Sequence, residues 1–464
     1  MKALWGAGIC ACLVLSGCIP GPKFISISRD GTIAFSLAEE VTEEGDSDSG
    51  PEYIDHIYLT NANADFLAEI EELEGSWCPL ISPSGRYIVA LSDDELVLYD
   101  RKSKKRRVVY RSREGDESLL LIFSAWSPDG NKIAFFAGDL EDAPQDCALN
   151  VYDVKRRELE VLVRGACPRA AWLPDGKRLV YISVPPGLSE SDGFFFGDLT
   201  TVNVRTRKQK TLARRELMSY TKIAVFPQGN AILFPCVDWD DMEIGRGGIT
   251  APIVLKKEVL PRPARKAEKR RRGEVEEEQT SKPEQAGAKP VAEKAPPEAS
   301  EEKPEEKSFV LREGQPFCPL SCAVSPDGKK IAYFRYIWVP GYTTDEEAEE
   351  ETEGEKPEEA QLQAEESEEP ERESTEPNGV ELCVAKADGT GSIAVARGMQ
   401  EGLPQVVWAG NTRLICVTED KILAVDADGK NKLDLIETLR KKFPDQFEQE
   451  KEEEEEEEEE TTGE

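Results

Sequence analysis

The 464-residue chain has a single histidine, His56, and far fewer basic than acidic residues. Its 58 Lys and Arg stand against 92 Asp and Glu, which gives a formal net charge of −34. This shortage of basic charge argues against nucleic acid as a partner, because phosphate binding needs a basic surface. The single histidine argues against enzymes that use histidine clusters, and neither a GxSxG elbow nor a GxxxxGK[ST] loop is present. We expect neither an enzyme nor a metal or cofactor site.

Long hydrophobic runs are equally scarce, and the one at the N-terminus is short. Ala3 to Leu15 is apolar for about thirteen residues, whereas a bilayer-spanning helix takes ~20. Lys2 precedes this run, and Leu15-Ser16-Gly17-Cys18 follows it and resembles the lipobox of bacterial lipoproteins. The resemblance implies a signal peptide at 1–17, an acylated Cys18 and a short tether at 18–23. A plain secretory signal or a membrane anchor is the alternative.

The resemblance to lipoproteins also implies a location. Ile19 stands where an inner-membrane retention signal has Asp, which favours the outer membrane facing the periplasm, with the cell surface as the alternative. The membrane contact would be made by the acyl anchor alone.

The negative charge is concentrated in three segments. Residues 39–55 hold eight acids and no base, 345–376 hold seventeen acids and two bases, and 448–464 hold twelve acids and one base. These segments account for the whole net charge, so the remaining chain is neutral. Together with the Pro/Glu/Lys/Ala-rich stretch 256–307, they predict disordered inserts at 39–52, 256–307 and 343–378 and a disordered acidic tail at 441–464.

A turn motif that ends in Gly recurs along the chain. It stands at Asp30-Gly31, Ser84-Gly85, Asp129-Gly130, Asp175-Gly176, Gln228-Gly229, Asp327-Gly328 and, in degenerate form, Gly410-Asn411. Apolar residues follow three and five positions after most of these glycines, as in Ile133 and Phe135. Apolar residues two apart indicate one buried face of a strand, and Asp-Gly between two such runs indicates a hairpin. Each hairpin is followed by a second one, as around Arg101-Lys102.

Each repeat therefore predicts four strands, which we name A, B, C and D. The spacing of the turns returns to the ~40–45 residues of a propeller blade once the inserts are removed. The sequence thus predicts an all-β fold, a β-propeller over residues 24–440 with seven four-stranded blades, six being the alternative count. A sandwich of hairpins is the rival architecture, but even repetition of one motif disfavours it.

The repeats resemble a known family. Phe123-Ser-Ala-Trp126-Ser-Pro-Asp-Gly130-Asn-Lys-Ile-Ala-Phe135 and Cys322-Ala-Val-Ser-Pro-Asp-Gly328-Lys-Lys-Ile-Ala-Tyr333 are similar to the TolB-type, WD-repeat-like propeller repeat. The resemblance covers roughly residues 24–440 without the inserts and implies a propeller that binds envelope proteins. Trp126, Trp172 and Trp408 share the position before the turn, where we expect them to pack between blades.

Aromatic residues are predicted to gather on one rim of the propeller. The B–C connections lie on the rim opposite the A–B and C–D turns, and the acidic inserts at 39–52 and 343–378 belong to B–C connections. Phe194, Phe195, Phe196, Trp239, Trp338 and Tyr342 also belong to B–C connections. Exposed aromatics are common at protein interfaces, so these six residues form a candidate partner-binding rim. The alternative is that Phe194–Phe196 begin strand C and are buried.

These observations predict a lipid-anchored, monomeric envelope propeller that acts as a protein-binding or assembly scaffold. The alternative is a propeller hydrolase or lyase that acts on envelope glycans or peptides. A dense cluster of carboxylates and an arginine in the central channel, together with a substrate-sized pocket, would favour that alternative.

Overall fold

We describe the protein from a computed structural model. The described residues are 21–41, 52–92, 95–111, 120–138, 147–183, 196–218, 222–237, 243–245, 248–250, 253–260, 308–311, 317–337, 379–399, 405–418 and 421–447. No helix within these ranges has the length and apolarity needed to cross a membrane.

Seven four-stranded antiparallel sheets form the blades of a propeller, so the predicted fold class and the count of seven are confirmed. Blade 1 comprises β1 Gly21–Ile27, β2 Ile33–Val41, β3 Glu52–Thr60 and β4 Ala68–Glu69. Blade 2 comprises β5 Trp77–Ile81, β6 Tyr87–Ser92, β7 Glu95–Asp100 and β8 Lys105–Arg111. Blade 3 comprises β9 Leu120–Trp126, β10 Lys132–Gly138, β11 Ala148–Asp153 and β12 Glu158–Arg164. Blade 4 comprises β13 Ala166–Trp172, β14 Arg178–Ser183, β15 Phe196–Asn203 and β16 Gln209–Met218.

The last three blades follow the same plan. Blade 5 comprises β17 Ala224–Val225, β18 Ala231–Val237, β21 Ile253–Val259 and β22 Phe309–Leu311, with a separate hairpin of β19 Glu243–Gly245 and β20 Gly248–Thr250. Blade 6 comprises β23 Phe317–Val324, β24 Lys330–Ile337, β25 Gly379–Lys386 and β26 Ile393–Met399. Blade 7 comprises β27 Gln405–Ala409, β28 Arg413–Thr418, β29 Lys421–Asp426 and β30 Leu433–Asp434, and the helix α1 Leu435–Lys442 follows.

The A–B turns have the geometry that the repeated motif predicts. In blade 3 the amide of Gly130 donates to the Ser127 carbonyl at 2.8 Å, and Gly130 has a φ of +67°. The carboxylate of Asp129 accepts from the Ser127 hydroxyl at 2.6 Å and from the Asn131 amide at 3.1 Å. Asp thus closes the turn with its side chain, and Gly supplies the positive φ that other residues adopt at a cost.

The residues three and five positions after the turn glycines form the core. All of them are at most 1% exposed: Ile88, Ile133, Leu179, Ile232, Ile331, Ala90, Phe135, Tyr181, Phe234 and Tyr333. They lie on strand B, the second strand from the centre, where sheets of neighbouring blades pack face to face. Trp126, Trp172 and Trp408 are 9%, 6% and 6% exposed and pack between blades, as predicted.

Hydrogen bonds join the innermost segments of neighbouring blades. The indole Nε1 of Trp126 donates to the Leu80 carbonyl at 2.8 Å, and that of Trp172 donates to the Ala125 carbonyl at 3.0 Å. At least six of the seven junctions have such a bond within the described part of the chain. The others are Ile81 N to Ser26 Oγ, Cys322 Sγ to Lys222 O, Val406 N to Ser321 Oγ and Ile25 N to Gln405 Oε1.

The ring closes without strand exchange. Every blade consists of strands taken in sequence order, so blade 1 holds only N-terminal strands and blade 7 only C-terminal strands. One hydrophobic cluster spans the junction of these two blades and includes Phe35 and Tyr58 from blade 1 and Ile415 from blade 7. Closure therefore depends on side-chain packing rather than on a mixed sheet.

Helix α1 reinforces this junction, and the sequence-based prediction missed it. Leu435, Ile436 and Leu439 are buried in the same cluster. The Asp434 carboxylate caps the helix by accepting from the Glu437 amide at 3.1 Å. Lys442 donates to the carbonyl of Ala64, in the C–D turn of blade 1, at 2.9 Å. The helix therefore bridges the last blade and the first.

The strand bounds shorten the predicted inserts and tail. Strand β1 begins at Gly21, inside the predicted tether. Residues 39–41 of the first predicted insert belong to strand β2, and residue 52 belongs to strand β3. Strand β21 extends to Val259 because Lys257 is buried, with Nζ 4.4 Å from the centroid of the Phe226 ring. The fold continues to Phe447, since α1 follows the last strand. The signal at 1–17, most of the inserts and 448–464 lie outside the described residues.

We expect Leu439→Ala to weaken the closure of the ring. Leu439 is fully buried between blades 7 and 1, and its truncation leaves a cavity that costs about 2–5 kcal/mol of unfolding free energy. Urea unfolding measures the loss. Lys441→Ala, on the exposed face of the same helix, is the control and should change the unfolding free energy by no more than about 0.5 kcal/mol. Equal effects of the two substitutions would show that α1 does not hold the junction.

Candidate functional site: the central channel

The A strands and the segments that lead into them surround a central cavity of about 390 Å³. All seven blades contribute to its wall. Most of the wall is apolar and includes Phe24, Leu80, Trp126, Ile223 and Val406. A volume of this size falls within the range of small-ligand sites, which are typically concave and apolar with a few placed polar groups.

The polar groups of the cavity come from one level of the channel. Counting back seven residues from the turn glycines of the first six blades gives Phe24, Cys78, Phe123, Arg169, Lys222 and Ser321. In blade 7 the equivalent residue is Gln405. It stands three residues before Trp408, which pairs with the start of strand B, just as Ser321 stands three residues before Val324 in blade 6. Except for Phe123, of which only the place in β9 is described, all of these line the cavity. We call these seven positions the channel ring.

The A strands are irregular at this level. In blades 1, 2, 3, 4 and 6 the pairing of strands A and B shifts register around the channel-ring residue. Cys78 shows the distortion most clearly, since it is not glycine and has a φ of +55°. Bulges re-aim side chains and are frequent beside functional sites. Here they interrupt the alternation that would otherwise direct each side chain of strand A to the neighbouring blade or away from it.

Two cations stand next to each other in the channel ring. Arg169 of blade 4 and Lys222 of blade 5 both line the cavity, and the described lining contains no Asp or Glu. Burial, and then the positive charge of Arg169, lower the pKa of Lys222 to about 8. Burial raises the pKa of the Cys78 thiol to about 12, although Arg169 and Lys222 both act to lower it. The described lining of the cavity thus combines two cations with mainly apolar residues.

The adjacent cations of the channel ring suit an oxyanion. An arginine fork and an ammonium group are the usual partners of a carboxylate. The Ser321 hydroxyl accepts a hydrogen bond from the Val406 amide at 3.0 Å, so it also fixes the wall between blades 6 and 7. Within the described ranges no three His, Cys, Asp or Glu side chains gather as a metal site would.

The residues that the sequence singled out lie elsewhere. Phe196 begins strand β15, as in the alternative that we left open for Phe194–Phe196, but its side chain is not described. Phe194, Phe195, Trp239, Trp338, Tyr342 and Cys18 lie outside the described residues. The partner-binding rim and the lipidation therefore stay predictions. The channel ring was missed, although counting back from the repeated glycines would have found it.

Comparisons with known proteins support the fold. No protein-family model matches the chain, and no curated protein matches it. Among solved structures, the β-propeller domain of the trilobed protease from Pyrococcus furiosus is 10% identical, with 90% of this chain and 96% of that chain covered and a TM-score of 0.50. That domain is described as having an open velcro topology. Within the described residues blades 1 and 7 likewise share no strands.

The other solved structures that are similar include TolB and enzymes. TolB from Acinetobacter baumannii is 11% identical over 87% of this chain and 79% of that chain, with a TM-score of 0.40. An oligogalacturonate lyase in complex with manganese is 12% identical over 86% of each chain, with a TM-score of 0.48. At these identities the similarity concerns the propeller architecture and not the activity.

We expect Lys222 to make stability rise with pH above neutrality. Its pKa is about 8 in the folded chain and 10.5 unfolded, so between these values the unfolded chain binds more protons. The free energy of unfolding should therefore increase from pH 8 to 9.5, and less so in Lys222→Met. Urea unfolding at both pH values measures the difference. An identical pH dependence in the two proteins would contradict the lowered pKa.

Proposed function

We propose that this chain is a lipid-anchored envelope protein that binds a protein partner through the central channel and does not catalyse a reaction. The observation that carries this proposal is the pair Arg169 and Lys222 in a mostly apolar cavity with no carboxylate in its described lining. The partner would insert an acidic group, a carboxylate of a side chain or of a chain terminus, between the two cations.

An inserted carboxylate would relieve the repulsion between the cations. Lys222 holds its proton less firmly because of burial and of Arg169, and a negative charge between them would offset both effects. Charge-assisted hydrogen bonds in a partly desolvated site are about twice as strong as neutral ones. The apolar wall would add affinity by burying the atoms that carry the carboxylate.

The anchor would hold one rim of the propeller close to the membrane. Strand β1 begins at Gly21, three residues after Cys18, and three extended residues span roughly 10 Å. This strand starts on the rim of the B–C connections. With Cys18 acylated, that rim would face the membrane and the rim of the A–B turns would face away from it.

The alternative of a hydrolase or lyase receives less support from the same cavity. Arg169 and a cavity of small-ligand size are present, as that alternative requires, but the described lining lacks the carboxylates that would serve as acid and base. We therefore keep a binding role as the proposal.

Affinity purification from detergent-solubilised envelopes tests both parts of this proposal. The natural chain should capture one stoichiometric protein partner, and an Arg169→Met/Lys222→Met variant should lose at least nine-tenths of it. Lys430→Met/Lys432→Met changes two exposed lysines on a C–D turn and should retain the partner. A Cys18→Ser form exported by a cleavable signal should lose membrane attachment but keep the channel-dependent binding.

Equal capture by the two double variants would contradict a channel site. Unfolding temperatures measured beside each capture separate lost binding from lost folding. Membrane attachment of the Cys18→Ser form would contradict the proposed anchor and would leave the proposal for the channel unaffected.

A further inference from the structure

The rim of the A–B and C–D turns is basic across three consecutive blades. The turns of blades 2, 3 and 4, taken together with the first residues of strands β8 and β12, cover residues 82–86, 101–107, 127–131, 154–158, 173–177 and 204–208. They hold twelve exposed cations, which we call the basic arc: Arg86, Lys102, Lys104, Lys105, Arg106, Lys155, Arg156, Arg157, Lys177, Arg205, Arg207 and Lys208. The same turns hold only three acids, Asp129, Glu158 and Asp175.

The basic arc contrasts with the described turns of blades 1, 6 and 7. On the same rim, the turns of blades 1, 6 and 7 (28–32, 61–67, 325–329, 387–392, 410–412 and 427–432) hold four cations and five acids. The densest part of the arc is the C–D turn of blade 2 with the start of strand β8, where residues 101–107 include six Lys or Arg and no acid. Blade 2 is the neighbour of blade 1.

Ion pairs neutralise only part of the arc. Arg86 pairs with Asp100 at 2.9 Å, and Arg207 lies 3.4 Å from Glu160. Lys102, Lys104 and Lys105 make no ion pair within the described part of the chain, and their side chains are exposed. Closely spaced like charges repel one another, so an anionic occupant would stabilise the arc.

The chain itself carries a polyanion that starts close by. The described fold ends at Phe447, whose ring centroid lies 5.9 Å from that of Tyr58 in blade 1. Residues 448–464 follow, with twelve acids and one base. Seventeen residues span about 55 Å when fully extended, and their mean end-to-end distance as a flexible coil is about 23 Å. Sheets packed face to face lie about 10 Å apart, so the turns of blade 2 are within reach of the tail.

The other acidic segments are less well placed. Residues 42–51 and 338–378 join strands β2, β3, β24 and β25 on the opposite rim. Blade strands of six or seven residues separate the two rims by about 20 Å, so these segments would have to cross the outer edge of a blade to reach the arc.

We propose that the acidic C-terminal tail, residues 448–464, docks on the basic arc of the same molecule, chiefly on the C–D turn of blade 2. The attachment at Phe447 gives the tail an effective concentration of about a millimolar at the arc. Any external polyanion must displace the tail to bind there. This proposal is independent of the channel, because the arc and the channel ring share no residue.

Zero-length carbodiimide crosslinking of the full soluble chain, in the Cys18→Ser form, tests the docking. It joins carboxylates to lysine amines in direct contact, and mass spectrometry maps the links. We expect links from 448–464 to Lys102, Lys104 or Lys105 at 50 mM salt, falling at least fivefold at 1 M, where the Debye length is ~3 Å. Three results would overturn the proposal. The tail could link evenly to lysines over the whole surface, residues 338–378 could link to this turn in place of the tail, or the tail could form no links.

A binding measurement provides the second test. A fluorescent deca-glutamate peptide should bind a chain that ends at Phe447 at least tenfold more tightly than the full chain, since the tail no longer competes. Lys102→Gln/Lys104→Gln/Lys105→Gln in the shortened chain should abolish most of that gain. Lys329→Gln/Lys430→Gln/Lys432→Gln removes three exposed lysines from the same rim and should preserve it. Equal affinity of the full and shortened chains would overturn the proposal.

Discussion

The packing of blade 7 against blade 1 is the interaction on which the rest of the structure depends. Because each blade consists of consecutive strands, no sheet crosses this junction, and the ring stays closed by the cluster around Phe35, Tyr58 and Ile415 with α1 over it. The channel exists only while the ring is closed. Its wall is completed there by the bond from the Ile25 amide to the Gln405 side chain, a contact between residues 380 positions apart. Closing such a long loop is entropically costly, so buried apolar area has to offset it.

The sequence predicted the blades well because each blade is a local structure. Gly at the A–B turns needs a positive φ, and the apolar residues that follow it, such as Ile133 and Phe135, stand two apart on one buried face of strand B. Both signals lie within ten residues. The channel ring was not predicted because its members are of unlike chemistry, so no shared residue type marks the position seven residues before each turn glycine. Helix α1 was missed although Asp434 and the spacing of Leu435 and Leu439 are ordinary helix signals.

The distribution of charge links the candidate site to the surface. The acids that dominate the net charge lie in three segments, and the propeller body presents cations in two separate places, the channel ring and the basic arc. Each of these places suits an anion, but in different ways. The channel is narrow and apolar and suits one carboxylate, whereas the arc is wide and exposed and suits a polyanion.

The most direct test of the account is to measure the pKa of Lys222 by NMR while a small acid enters the channel. The probe is an N-acetylated tripeptide with a free C-terminal carboxylate, and the same peptide with a C-terminal amide is its control. The signal of Lys222 is assigned by its loss in Lys222→Met. We predict that the carboxylate form raises the pKa of Lys222 from about 8 towards its ordinary 10.5, and that the amide form leaves it unchanged. No change with the carboxylate form at saturating concentration would contradict the channel as a site for acidic groups.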